Sequence, residues 1–264
     1  MKKTRKILPL LLLAALSLGS CKSQYEALLQ GNDAEAKYKA AFELFNREKY
    51  QKASALFESL SVLTAGTERD DTVQYYWALS NYRYKDYPTA ETNFKNYLEH
   101  FPRSGFAESA AFLRVDCLYK ATLRYELDQT PTYVAIAAIN EYKMTYGDAV
   151  HSAVCDRMLE ELGERLDRKA YENARLYYKM EDYKAARVAL KNVLKDDSEN
   201  RYREEILYLA AMASYKYAEL SVPAKQRERF LVFEDDYLNF VGEYPESAHR
   251  KELEGLYKKV KGKN

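Results

Sequence analysis

Apolar and small residues fall at helical spacing along almost the whole chain, and one arrangement recurs five times. An aromatic residue is followed three positions on by a small one, and four beyond that by a second aromatic. It reads Tyr38-Ala41-Phe45, Tyr75-Ala78-Tyr82, Phe112-Val115-Tyr119, Tyr171-Ala174-Tyr178 and Tyr208-Ala211-Tyr215. The first positions are 37, 37, 59 and 37 residues apart (38, 75, 112, 171, 208). Offsets of three, four and seven place all three residues on one face of a helix. A period in this range marks stacked supersecondary units. The small residue lets a neighbouring helix come close, while the rings fill the volume above and below it.

Each such helix is followed by a second with its own ladder. Tyr50, Ala53, Phe57 and Leu60 form the first; Tyr87, Ala90, Phe94 and Tyr97 repeat its spacing, as do Tyr183, Ala186, Leu190 and Val193. Phe230, Phe233, Tyr237 and Phe240 match it, and Thr132, Ala135, Ile139 and Tyr142 are a weaker case. Small residues of the two helices lie twelve apart in three repeats (41 to 53, 78 to 90, 174 to 186). The third and fifth are stretched (115 to 135, 211 to 233), with Phe233 at the small position. Asn32 or Asp33 is placed to cap a helix beginning near Ala34, Asp71 with Gln74 to open the second repeat, and Thr130-Pro131 to start the second helix of the third. Ser221-Val222-Pro223 breaks the fifth.

At these positions the chain resembles the tetratricopeptide repeat, with its small residues twelve apart, the aromatic before the second, and a proline after the second helix (Pro102, Pro245). The resemblance implies an all-α, right-handed α-solenoid of about five helix pairs, with a capping helix at Glu252 to Val260. The long third step leaves room for a connecting helix from about Ala149 to Leu162. The expected division is therefore 34–148 for repeats one to three and 149–264 for repeats four, five and the cap. In this family the first helix of each pair lines a groove. Repeat geometry puts Phe42, Phe45, Leu79, Tyr82, Arg83, Asp116, Tyr119, Arg175, Tyr178, Met212 and Tyr215 on or next to that wall. The last ring of each triplet is the expected contact with a partner. A wall of rings suits an extended or helical peptide, because rings give contact area at low ordering cost.

The N-terminus changes where this fold must sit. Lys2, Lys3, Arg5 and Lys6 precede an apolar run from Ile7 to Leu18, too short to span a bilayer and typical of a secretory signal. Residues 1–20 are expected to be removed. The ending Leu18-Gly19-Ser20-Cys21 resembles the lipobox of bacterial lipoproteins, which implies acylation of Cys21 and a tether over 21–33. Two or more acyl chains anchor stably where one does not. By analogy with the sorting of such lipoproteins, Lys22 points to the outer membrane.

Composition narrows the function. The chain has nine Gly and six Pro against 47% apolar and 31% charged residues, as an almost wholly helical protein requires. Its 41 basic and 40 acidic residues become an acidic excess once the four signal cations are removed, leaving no positive surplus for nucleic acid. His100, His151 and His249 stand apart, without a second ligand at metal-site spacing, so neither metal nor cofactor is expected. Adjacent carboxylates (Asp70-Asp71, Glu160-Glu161, Glu204-Glu205, Asp235-Asp236) diverge by about 100° on a helix and read as solvated faces or caps. Cys117 and Cys155 could bridge in an oxidising compartment, but their apolar helical settings favour buried free thiols. Nothing here marks an enzyme.

The combination resembles the BamD-like assembly lipoproteins over nearly the whole mature chain. Its more specific parts are Asp86-Tyr87-Pro88-Thr89-Ala90, Tyr97-Leu98 with Phe101-Pro102, Tyr177-Tyr178 before Tyr183-Lys184-Ala185-Ala186-Arg187, and Phe240 with Tyr244-Pro245. Gly147 and Asp197-Ser198 depart from the pattern. The resemblance implies a non-enzymatic scaffold at the inner leaflet of the outer membrane. It would bind the periplasmic domains of a β-barrel insertase, segments of unfolded outer-membrane proteins, and other assembly lipoproteins. The alternative is another repeat lipoprotein serving cell-wall, secretion or pilus assembly.

Overall fold

The computed structural model describes residues 24–147 and 150–262. The expected signal peptide and the lipidation site Cys21 lie outside them. Twelve helices account for the regular structure of the described residues, with no strand among them. They are α1 (residues 24–30), α2 (Ala34–Asn46), α3 (Tyr50–Thr64), α4 (Asp70–Arg83), α5 (Tyr87–His100), α6 (Ala107–Lys120) and α7 (Thr130–Tyr146). They continue with α8 (Ser152–Lys179), α9 (Tyr183–Asp196), α10 (Arg203–Glu219), α11 (Pro223–Glu243) and α12 (Arg250–Lys261). The fold is the all-α tetratricopeptide-like one; α2 to α7 pack as successive neighbours, and so do α9 to α12.

Two compact units divide the chain. The N-terminal unit runs to Thr122 and includes Thr130–Cys155; the C-terminal unit comprises Leu123–Gln129 and Asp156–Asn264. In each, the triplets and ladders form the core. Ala41, Ala53, Ala78, Ala90, Ala186 and Ala211 have no exposed surface, and Phe57, Phe94, Phe233 and Phe240 are likewise sealed.

Three repeats share one turn, which explains their twelve-residue offset. After α2, α4 and α8 the chain passes through Glu48, Lys85 and Glu181, each at positive φ (58°, 71°, 63°). The amides of these residues donate to Phe45, Tyr82 and Tyr178, and the next amides to Leu44, Asn81 and Tyr177. This 6→1 and 5→2 pair is the Schellman closure, here without its usual glycine. Asp86 and Asp182 then cap the following helices through Thr89 and Ala185 amides. Across each turn the last ring of the triplet meets the first ring of the next helix: Phe45–Tyr50 at 5.2 Å, Tyr82–Tyr87 at 5.7 Å, Tyr178–Tyr183 at 5.4 Å.

A second regularity joins one repeat to the next. The first ring of every triplet is covered by a planar group placed just before a later helix. Arg69 lies over Tyr38 at 4.6 Å, Phe106 stacks on Tyr75 at 4.4 Å, and His151 on Phe112 at 3.7 Å. Tyr202 stacks on Tyr171 at 4.8 Å and His249 on Tyr208 at 4.0 Å. In the unstretched repeats the covering residue follows 31 positions on (38 to 69, 75 to 106, 171 to 202).

Several expectations are corrected. Residues 24–30, expected as tether, are helical, and Tyr25, Leu28 and Leu29 pack against the first repeat. The connecting helix at Ala149–Leu162 is not separate: α8 runs unbroken through 28 residues to the fourth triplet, because nothing from Ser152 to Lys179 breaks a helix. In the fifth repeat the extra residues lengthen α10 and α11, with only 220–222 between them. Asp71 does not open α4. The helix starts at Asp70 behind Arg69, and the Asp71 carboxylate instead accepts from Tyr97 and from Ser104 Oγ at 2.9 Å. Asp236 is not solvated but 5% exposed.

Candidate interaction surface

The first helix of each pair presents what the core leaves over. In the N-terminal unit α2 turns Lys39, Phe42, Glu43 and Asn46 around an open cleft with Tyr38 and Glu35. Phe42 is half-buried, its ring tilted against Tyr38 at 4.7 Å and edge-on to Phe57 and Tyr76 at 5.1 and 4.7 Å. Phe45 is half-buried between Tyr50 and Tyr76. Such edge-to-face contacts set ring orientation before any ligand arrives.

Around Tyr82 the surface becomes polar and ordered. Its hydroxyl donates to Asp116 Oδ2 at 2.6 Å, and Lys120 pairs with that carboxylate one turn along α6. The Lys120 ammonium also lies 5.3 Å from the Tyr82 ring and 5.5 Å from Tyr87. Burial and then the Asp116 carboxylate raise the Tyr82 hydroxyl pKa, so it stays a donor. Burial opposes the charge on Lys120, but Asp116 and Tyr82 outweigh it and keep the ammonium charged. The result is a fixed cation between two rings. Arg83, next to Tyr82 in sequence, is exposed, and Tyr119 is half-buried.

In the C-terminal unit Arg175 pairs with Glu172 at 3.0 Å and lies 5.9 Å from the Tyr171 ring. Tyr178 is half-buried against Tyr183, its pKa raised by burial. Three expected wall residues are core instead. Leu79 and Met212 are buried, and Tyr215, 6% exposed, packs on Phe230 and Phe233 at 5.8 and 5.3 Å with its hydroxyl donating to Glu219. The longer α10 and α11 of that repeat give Tyr215 more helix to bury against. Asp116 is also buried, serving Tyr82 and Lys120.

One surface escaped the ladder reading. Tyr177, Ala185 and Val188 line a shallow cleft between α8 and α9, and Met180 nearby is 58% exposed. These residues lie off the core spacing, so the only signal was an excess of apolar side chains over what the ladders use.

The titratable groups of the kind that do chemistry are occupied structurally. Asp236 takes Arg187 Nε at 2.6 Å, Lys191 Nζ at 2.5 Å and the Ser214 hydroxyl, tying α9, α10 and α11 together. His151 and His249 are stacking groups, and His100 faces the Asn96 carbonyl at 2.7 Å. Cys117 and Cys155 are buried and form no disulfide, and burial followed by the Asp116 charge pushes Cys117 up to about 12. Among the described residues no group of three His, Cys, Asp or Glu is placed to hold a metal ion. The arrangement can dock apolar and aromatic side chains beside fixed charges.

Residues 30–231 match the family model YfiO, described as outer membrane lipoprotein. A curated relative from Aquifex aeolicus (strain VF5), the putative outer membrane protein assembly factor BamD, is 27% identical over 269 residues. That alignment covers 99% of this chain and 85% of the relative.

Proposed function

The chain belongs to the YfiO family of outer membrane lipoproteins, and from that premise we propose that it is a lipid-anchored scaffold for outer-membrane protein assembly. The observation that carries this reading is the likeness to the assembly-factor relative along nearly the whole chain. The anchor is acylated Cys21, held in the outer membrane, with the helical units facing the periplasm.

Two surfaces divide the work. The rings and fixed charges of the N-terminal unit, Phe42, Phe45, Tyr82, Arg83 and Tyr119, receive segments of unfolded outer-membrane proteins. Aromatic-rich segments of such clients meet half-buried rings that are already oriented, which lowers the ordering cost. In the C-terminal unit, Arg175 and Tyr178 with the exposed Tyr177–Val188 cleft bind the periplasmic domains of the β-barrel insertase. Other assembly lipoproteins join the same complex.

The test is recovery of partners from detergent-solubilised envelopes with the full-length lipoprotein at native level. Co-purification of a barrel protein bearing periplasmic domains is the expected result, and Tyr177→Glu with Val188→Glu removes it. Recovery of cell-wall, secretion or pilus components without any barrel protein would sink the assembly reading. Photoreactive residues at Phe42 and Arg83 are expected to capture unfolded outer-membrane proteins, and capture of none rules out the N-terminal client site.

A further inference from the structure

The turns of the N-terminal unit separate charge between its two edges. Helices α2 to α5 alternate direction and pack in order, so the α2–α3 and α4–α5 turns share one edge. That edge carries Arg47, Lys49, Lys52 and Lys85, all exposed and none with an ion-pair partner among the described residues. The carboxylates beside them are Glu26, Glu43, Glu48 and Asp86, and Asp86 is engaged by the Thr89 amide and the Tyr84 hydroxyl. The opposite edge has the reverse balance: seven carboxylates (Asp33, Glu35, Glu68, Asp70, Asp71, Glu99 and Glu108) against Arg69 and Arg103, with Arg69 already paired to Glu35.

The start of the described chain lies on the basic edge. The Tyr25 hydroxyl donates to the Lys52 carbonyl at 3.1 Å, and the Lys52 ammonium lies 5.2 Å from the Tyr25 ring. Further along α1, the Leu29 carbonyl accepts from Lys37 at 2.9 Å and from Ser59 at 3.2 Å. Helix α1 therefore starts beside the α2–α3 turn and runs away from it. Only Lys22 and Ser23 separate its first residue from Cys21. Fully extended, that span is about 10 Å, close to the ~8 Å Debye length at physiological ionic strength. A chain anchored at Cys21 thus holds this edge where exposed cations still feel a charged bilayer.

We propose that the basic edge of the N-terminal unit lies against the anionic phospholipid surface in which the acyl anchor is embedded. The inference rests on the lipid-anchor reading of Cys21. Tyr25 supplies the aromatic that favours a membrane–water interface, and the unpaired cations supply the attraction to anionic headgroups. The edge orients the unit on the membrane, which the acyl chains alone do not do.

The test uses the mature chain with Cys21→Ser, which keeps every described helix but carries no lipid. Its partitioning is measured on phosphatidylcholine vesicles with and without about 30% phosphatidylglycerol, at about 30 mM and 300 mM salt. Binding only to the anionic vesicles, lost at high salt, is expected. The variant Arg47→Gln, Lys49→Gln, Lys52→Gln, Lys85→Gln should bind at least tenfold more weakly. A charge-matched control in the C-terminal unit, Lys195→Gln, Arg227→Gln, Lys251→Gln, Lys259→Gln, should bind as the parent does. Equal loss in both variants, equal binding to neutral vesicles, or no binding at low salt would each overturn the proposal. Circular dichroism confirms that both variants stay helical. Mass spectrometry of wild-type Cys21 separately tests acylation: an unmodified cysteine refutes the anchor reading, whatever the vesicles show, and removes the tether argument with it.

Discussion

At the scale of residues, two kinds of position carry more than their identity announces. Asp236 is a carboxylate in the core with two cations and a hydroxyl on it. Burial alone would raise its pKa, but hydrogen bonds from Arg187, Lys191 and Ser214 together bring it below the ordinary value. A lowered folded-state pKa means stability that is complete above the unfolded carboxylate range and lost as pH falls through the folded value. Asp236→Ala should cost about 3 kcal/mol, the low end for a broken buried pair because Arg187 and Lys191 stay partly solvated. Urea melts of the wild type and Asp236→Asn should differ clearly at pH 7 and converge toward pH 3; a gap that widens in acid contradicts the assignment. Glu181 is the second kind, a non-glycine residue at φ 63°. Glu181→Gly should stabilise the C-terminal unit by about 0.5 kcal/mol, since relief of the left-handed strain exceeds the added freedom of the unfolded chain. A lower denaturation midpoint in the glycine variant would show that the turn is unstrained. Neither site could be read from the chain. Asp235-Asp236 looks like any solvated pair, and a glutamate gives no sign of a left-handed backbone.

At the scale of elements, the triplet divides its work in a way that spacing suggests only in part. Periodicity marks the small residue as a packing position and the rings as apolar surface, and both hold. The partner of each ring lies outside the pattern. The first ring is covered from the next helix entry by arginine, phenylalanine, histidine, tyrosine and histidine in turn. Those residues share planarity and not class, so hydropathy passes over them. Where two rings meet, the contact should carry coupling beyond area. A double-mutant cycle on Tyr171 and Tyr202, 5° from parallel, is expected to give about 0.5–1.5 kcal/mol. Additive losses would reduce the stack to ordinary burial. The last ring behaves differently between repeats. Phe45, Tyr82 and Tyr178 are half-buried, whereas Tyr215 is covered because its repeat grew by helix and not by loop. Equal spacing in sequence therefore yields unequal access.

At the scale of the whole molecule, the described residues form two compact units, each with its own hydrophobic clusters and ladders. Compact units with separate cores open separately. Native-state hydrogen exchange of Asp236→Ala is expected to quicken in α9, α10 and α11 while α3, α4 and α5 keep wild-type protection. Uniform loss across all helices would make the molecule one cooperative body. The sequence by itself determined the all-helical class, the repeat period, the helix pairs and the resemblance to an assembly lipoprotein family. Those properties follow from local periodicity, and every turn of helix restates them. Tertiary structure alone decided which rings remain accessible, that Asp236 is a buried ion centre, that α8 is continuous, and that the exposed cations of the first two turns share an edge with the start of α1. Each of these depends on which surfaces are brought together across thirty or more residues, and no local pattern encodes that.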